Sequence, residues 1–92
     1  MSNNDFVDLA KACVVTYFNN KLEKTDSEKT ITEDDVFVVW LAKILQNHKA
    51  MISTTVPDGM YYEITYNGDK DVVYLDAYKK WDNVEITRDE GE

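Results

Sequence analysis

The chain has 92 residues with 18 acidic and 10 basic side chains, so its formal net charge at pH 7 is −8. An apolar fraction of 43% argues against general disorder, and this length provides for one small domain, residues 1–92. The charge argues against direct nucleic-acid binding, because phosphate backbones are bound mainly through Lys and Arg.

The acidic charge is concentrated in the second part of the chain. Residues 58–92 have a balance of −6, from ten acidic and four basic side chains. Such a field attracts basic surfaces, although acidity that serves only solubility is the alternative. One cysteine allows no intrachain disulfide, no apolar run is long enough to span a bilayer, and the first residues are polar. These features predict a cytoplasmic protein without a membrane segment.

The first predicted element is a helix over about residues 4–22. Ser2 or a following Asn fits an N-cap, and apolar residues from Phe6 to Phe18 recur at helical spacing. Residues 23–31 are polar and predict a loop.

A second helix is predicted over about residues 33–52. Thr32 is a good N-cap, and three acidic residues suit the first turn, where the helix dipole favours negative charge. The apolar residues that follow have helical spacing, so Trp40, Leu41 and Ile44 are expected to be buried. A strand at VFVVW, residues 36–40, is the alternative. Val36 and Val39 fall among the polar residues of this helix and predict the interface of a homodimer.

The last predicted elements are the two strands of an antiparallel hairpin, over about residues 60–66 and 71–78. Both segments alternate in polarity, and Asn67-Gly68 is a hairpin signal. A loop of four residues, 67–70, would pair Ile64 with Val73, whereas a loop of two would place Ile64 opposite Asp71. The longer loop is favoured, because cross-strand apolar pairs stabilise a hairpin.

The C-terminal part predicts a short third strand at residues 84–86 and a frayed tail at 88–92. The predicted fold class is therefore α+β, with two helices followed by an antiparallel hairpin or a three-stranded meander.

One face of the hairpin combines aromatic and acidic side chains, and it is the predicted partner-binding surface. Aromatic residues are enriched at interface hot spots, and the acidic surroundings favour a basic protein over a nucleic acid. The alternative is that the helices cover this face and make its tyrosines part of the core. The predicted partner-binding residues are Tyr61, Glu63, Tyr74, Asp76, Tyr78, Trp81 and Asp82.

Nothing in the sequence indicates catalysis, a metal or a cofactor. His48 falls within the apolar side of the second helix and predicts a hydrogen-bonded core or core-edge residue rather than a catalytic base. Cys13 lies on the apolar side of the first helix, which is typical of a small buried filler. The acids at 33–35 lack the spacing of a calcium loop, and residues 67–70 lack that of a phosphate loop. We therefore expect a non-enzymatic protein.

The run VVWLAKILQNHKAMISTTVPDGMYYEITYNGDKDVVYLDAYKKW resembles a family of small uncharacterised proteins encoded by bacteriophages of Firmicutes, with a likeness over about residues 36–86. The family has no assigned catalytic residues, so the resemblance transfers no functional residue. It implies a phage protein in a bacterial cytoplasm, where binding to a host factor or a defence component becomes a hypothesis. The extreme form of binding through the acidic hairpin is a nucleic-acid mimic that occupies a basic cleft with its carboxylates. The alternative is a homo-oligomeric structural or accessory protein.

Overall fold

The computed structural model describes residues 1–22 and 30–88, and it shows one helix that covers one face of a four-stranded sheet. The elements are α1 (Asn3–Lys21), a 3-10 turn (Glu33–Asp35), β1 (Val36–Ile44), β2 (Asn47–Thr54), β3 (Met60–Asn67) and β4 (Val72–Lys79). The strands lie in the order β1-β2-β3-β4, and all neighbours are antiparallel. The predicted α+β class is confirmed, whereas the predicted number of helices and strands is wrong.

The helix α1 lies where the sequence predicts it. The Ser2 hydroxyl accepts a hydrogen bond from the Asp5 amide at 3.1 Å, and the Asp5 carboxylate accepts one from the Ser2 amide at 3.4 Å. This reciprocal pair is a capping box, which satisfies amides at the start of a helix. Most of the predicted loop at 23–31 and of the tail at 88–92 lies outside the described residues.

The second helix predicted over residues 33–52 is wrong, and the strand alternative at residues 36–40 is right. The Thr32 amide donates to the Asp35 carboxylate, and the Asp35 amide donates to the Thr32 carbonyl, both at 2.9 Å. The capping signal therefore marks a real N-terminus, but of a turn that ends at Asp35. The β-branched and aromatic residues that follow favour an extended chain, which becomes β1.

An irregularity in β1 explains why its sequence imitates a helix. The pairing with β2 shifts between Val38 and Trp40, so Val39 is the extra residue of a bulge. Phe37 and Trp40 consequently share one face although they are three residues apart, and Ile44 follows four residues later. This spacing of three and four is that of a helix, although it arises here from a bulged strand.

The position of β1 at the edge of the sheet corrects the burial predicted for its side chains. Trp40, Leu41 and Ile44 are 39%, 38% and 69% exposed. A tight turn at Leu45 and Gln46 connects β1 to β2, and Leu45 has a φ of 55° in that turn. Such a φ is uncommon for a bulky side chain.

The core lies between α1 and the sheet. It consists of Phe6, Ala10, Val14, Ile31, Val36, Ala50, Ile52, Tyr62 and Ile64. The side chain of Asn19 holds the chain after the undescribed segment against α1. Its amide nitrogen donates to the Ile31 carbonyl at 3.0 Å, and its oxygen accepts from the Ile31 amide at 2.9 Å.

The predicted β3–β4 hairpin exists with a four-residue loop, but the predicted register is wrong by two residues. Ile64 pairs with Leu75 rather than with Val73. The shift occurs because Asn67 stays in β3, where its side-chain oxygen accepts from the amides of Asp69 and Lys70 at 3.1 and 3.2 Å. A shift of two residues leaves every side chain on its predicted face, because strands alternate with a period of two.

Gly68 opens this loop because the chain passes close to the β1–β2 turn. A Cβ at this position would collide with the carbonyl of Gln46. The two loops at this end of the sheet are therefore packed against each other.

The predicted third strand at residues 84–86 is wrong. Residues 80–87 have no regular secondary structure, and their side chains are exposed. No strand of the described chain pairs with this segment. Within the described residues, no helix is long and apolar enough to cross a membrane.

We predict that Ile52→Ala lowers the free energy of unfolding by about 2–5 kcal/mol, as large-to-small core substitutions do. Ile86→Ala is the matched control, and it should cost far less because Ile86 is exposed beyond the end of the sheet. Chemical denaturation of both variants measures the difference. Equal losses would contradict the position of the core.

Candidate functional site

The candidate functional surface is the face of the sheet that α1 does not cover, which we call the open face. Its side chains form rows across the four strands, because residues in register share a face. Three of these rows are Phe37–Ser53–Tyr61–Tyr78, Trp40–Met51–Glu63–Asp76 and Ala42–Lys49–Thr65–Tyr74.

Five of the seven predicted partner-binding residues lie together on the open face: Tyr61, Glu63, Tyr74, Asp76 and Tyr78. Tyr74 and Tyr78 are about half exposed, at 52% and 51%, so the alternative that helices make them part of the core is wrong. Trp81 and Asp82 lie beyond the end of β4, outside the rows, and the Trp81 residue is 96% exposed.

Two acidic residues face each other at the centre of this surface. Glu63 and Asp76 are direct cross-strand partners, and like charges in such a position destabilise a sheet. Lys49 Nζ lies 3.5 Å from Glu63 Oε1 and offsets one of the two charges. The pair therefore keeps an excess of negative charge.

Tyrosines flank this acidic pair along the strands. Tyr61 and Tyr78 form the row before it, Tyr74 lies in the row after it, and neighbouring rows are about 7 Å apart. Carboxylates bind ammonium and guanidinium groups, and tyrosine rings attract the same cations through their faces. The arrangement can therefore receive a lysine or arginine side chain.

The sequence analysis did not predict that side chains of β1 and β2 contribute to the open face. Phe37, Trp40 and Ile44 lie on the open face beside Met51 and Lys49 of β2. The signal that could have found them was the strand-like composition of residues 36–40.

The predicted dimer residues Val36 and Val39 are separated by the structure. Val36 is 5% exposed and belongs to the core beneath α1, so its prediction as an interface residue is wrong. Val36 faces α1 because it lies before the bulge, on the face of β1 that α1 covers. Val39 is 46% exposed at the bulge itself.

His48 is buried at the edge of the core, as predicted, but without hydrogen bonds. It is 3% exposed, its ring lies 5.1 Å from that of Phe6, and neither ring nitrogen has a partner among the described residues. Burial lowers the pKa of His48 below its usual value, and the positive charges of Lys43 and the N-terminal amine add to this effect.

Cys13 is half-buried on α1, in a groove that Val73 and Leu75 line from β4. Burial raises the pKa of its thiol, which disfavours the reactive thiolate. In residues 1–22 and 30–88, no group of three or more His, Cys, Asp or Glu side chains is placed to hold a metal ion.

The fold defines a small α+β protein with a four-stranded antiparallel meander and one covering helix. Residues 7–88 match a family of unknown function, DUF6275, and the chain belongs to that family. No curated protein and no solved structure matches the chain.

We predict that Asp76→Lys raises the free energy of unfolding by about 0.2–1 kcal/mol, because it replaces a cross-strand repulsion from Glu63 with an attraction. Asp34→Lys on the exposed 3-10 turn makes the same change in net charge and is the control. Urea denaturation measures both variants. A stabilisation that is equal in the two would show that net charge, rather than the cross-strand pair, is responsible.

We predict that His48 makes the fold less stable as the pH falls. Its folded pKa is lowered, so the unfolded chain binds more protons, and the free energy of unfolding decreases as the pH falls through about 6.5. His48→Leu should remove this decrease, and it should not destabilise at pH 8 because no hydrogen bond between the ring and the described residues is lost. Denaturation curves between about pH 8 and about pH 5.5 test this. Equal pH dependence in both proteins would contradict it.

Proposed function

We propose that this protein is a non-catalytic binding protein that recognises a basic surface of another protein through its open face. The observation that carries the proposal is the acidic pair Glu63 and Asp76, flanked by Tyr61, Tyr74 and Tyr78 on a sheet face that α1 leaves uncovered. The acidic pair would bind a cationic side chain, and the tyrosines would supply the contact area that holds it.

The distribution of charge supports a basic partner. Most of the negative charge lies in residues 58–92, which include β3, β4 and the segment that follows. A concentrated negative field speeds encounter with a positive surface and repels nucleic acid. Trp81, exposed just after β4, would add an anchor at one end of the open face, with Asp82 beside it.

The resemblance to phage proteins suggests the setting for this binding. We propose that the partner is a host factor or a defence component in a bacterial cytoplasm. A partner that normally binds nucleic acid would have the basic cleft that this surface fits, which would make the protein a nucleic-acid mimic. The alternative is a homo-oligomeric accessory protein whose acidity serves only solubility.

We predict different kinetic effects for the two kinds of side chain on the open face. Amides in place of Glu63, Asp76 and Asp82 should mainly slow association and weaken its salt dependence, because charge steers encounter. Tyr74→Ala or Tyr78→Ala should mainly speed dissociation, because buried aromatic anchors hold a complex together. The measurement is surface plasmon resonance on a basic protein captured from bacterial lysate by the wild-type chain.

The matched control replaces Glu33 and Asp34 on the exposed 3-10 turn, together with Asp8 on α1, by their amides. This triple variant loses the same three charges away from the open face. Equal effects of the two triple variants would show that net charge alone causes the binding, and the proposed surface would be wrong. Tyrosine variants that bind as the wild type does would also count against it.

A further inference from the structure

Residues 39–45, VWLAKIL, form the most apolar exposed segment of the described chain. All seven residues are exposed, and five of them are large and apolar: Val39, Trp40, Leu41, Ile44 and Leu45. The segment contains the last part of β1 and the first residue of the following turn. We call it the β1 edge segment.

This segment lies on an unpaired sheet edge. β1 pairs only with β2 among the described strands, so its outer backbone amides and carbonyls can join another strand. The opposite edge strand, β4, carries Asp76 and Lys79, and charged side chains protect an edge from pairing. The β1 edge segment has one charge, that of Lys43.

The net charge of the chain and the charges within the β1 edge segment indicate which partner would bind there. Two copies of a chain with a net charge of −8 repel each other, so a contact between copies is favoured where acidic residues are absent. The β1 edge segment contains no acidic residue and one basic residue. A second copy is therefore the occupant that it fits.

We propose that two copies pair antiparallel through the β1 edge segment, with the two-fold axis at Ala42. In this register Trp40 of one copy faces Ile44 of the other on the open face, and Leu41 faces Lys43 on the covered side. Val39 and Leu45 come together at the two ends. Each large apolar residue of the segment thus gains a partner, and two sheets become one of eight strands.

The two-fold axis makes a test by charge possible, because residue 42 would meet its own copy. Ala42→Lys or Ala42→Glu alone places like charges opposite each other, and each variant should have the monomer mass. An equimolar mixture should regain twice that mass, as the wild type has at high micromolar concentration. Light scattering measures all four samples, and thermal unfolding confirms that each variant is folded. Ala77, exposed on β4, is the control position, where the same two substitutions should leave the dimer intact.

Three results would overturn the proposal. These are a monomeric wild type, single Ala42 variants that remain dimeric, and a mixture that stays monomeric. Removal of the residues after Lys80 provides a further comparison. If this truncation abolishes the dimer and the Ala42 substitutions do not, the exposed C-terminal segment occupies the edge, rather than a second β1. The test does not depend on the proposed basic partner, because the acidic pair lies two and three strands away from the axis.

Discussion

The structure depends on one constraint, which is that a single helix must bury one face of a four-stranded sheet. Phe6, Ala10 and Val14 meet Ala50 and Ile52 in a core with no exposed member. The small side chains of Ala10 and Ala50 allow α1 to lie close to β2. The residues predicted to form a second helix form β1 and β2 instead. The opposite face therefore has no cover among the described elements, and Tyr74 and Tyr78 on it are about half exposed.

The composition of the open face limits what can cover it. Lys49, Glu63 and Thr65 lie near its centre, and burial of these groups under an apolar surface would be costly without new hydrogen bonds. Glu63 and Asp76 add a repulsion that a positive side chain would relieve. The face is therefore suited to a polar and cationic partner. The β1 edge segment has the opposite character, with five exposed apolar side chains and no acid.

The sequence predicts the elements whose signals are local and agree with one another. Helix α1 has a capping box and a regular apolar side, and the β3–β4 hairpin has clear alternation, so both are right except for the hairpin register. That register depends on whether Asn67 belongs to the strand or to the loop. The side-chain hydrogen bonds of Asn67 and the close approach of Gly68 to Gln46 settle it, and neither is visible in the sequence.

The prediction of a second helix is wrong for a specific reason. A genuine capping signal at Thr32 precedes a strand whose bulge at Val39 produces helical spacing, so two independent patterns agree on the wrong element. The same error hid the contribution of β1 to the open face. The error did not affect the predicted face of each hairpin residue, because that face depends only on the alternation of side chains along a strand. Most of the candidate surface was therefore predictable, whereas its extent across β1 and β2 was not.

The two proposed surfaces lie on the same sheet without overlapping at their centres. The acidic pair belongs to β3 and β4, whereas the proposed two-fold axis is at the outer side of β1. Strands are about 4.8 Å apart and each residue rises about 3.3 Å along its strand, so pairing through β1 would place the two copies of Glu63 roughly 27 Å from each other on one continuous open face. A partner with basic groups at a similar spacing would bind both sites, and the second contact would form at high effective concentration. Self-association would then strengthen recognition through the acidic face without covering it. The exposed apolar residues of β1 would serve that arrangement, because they join the two faces while the acidic residues stay apart.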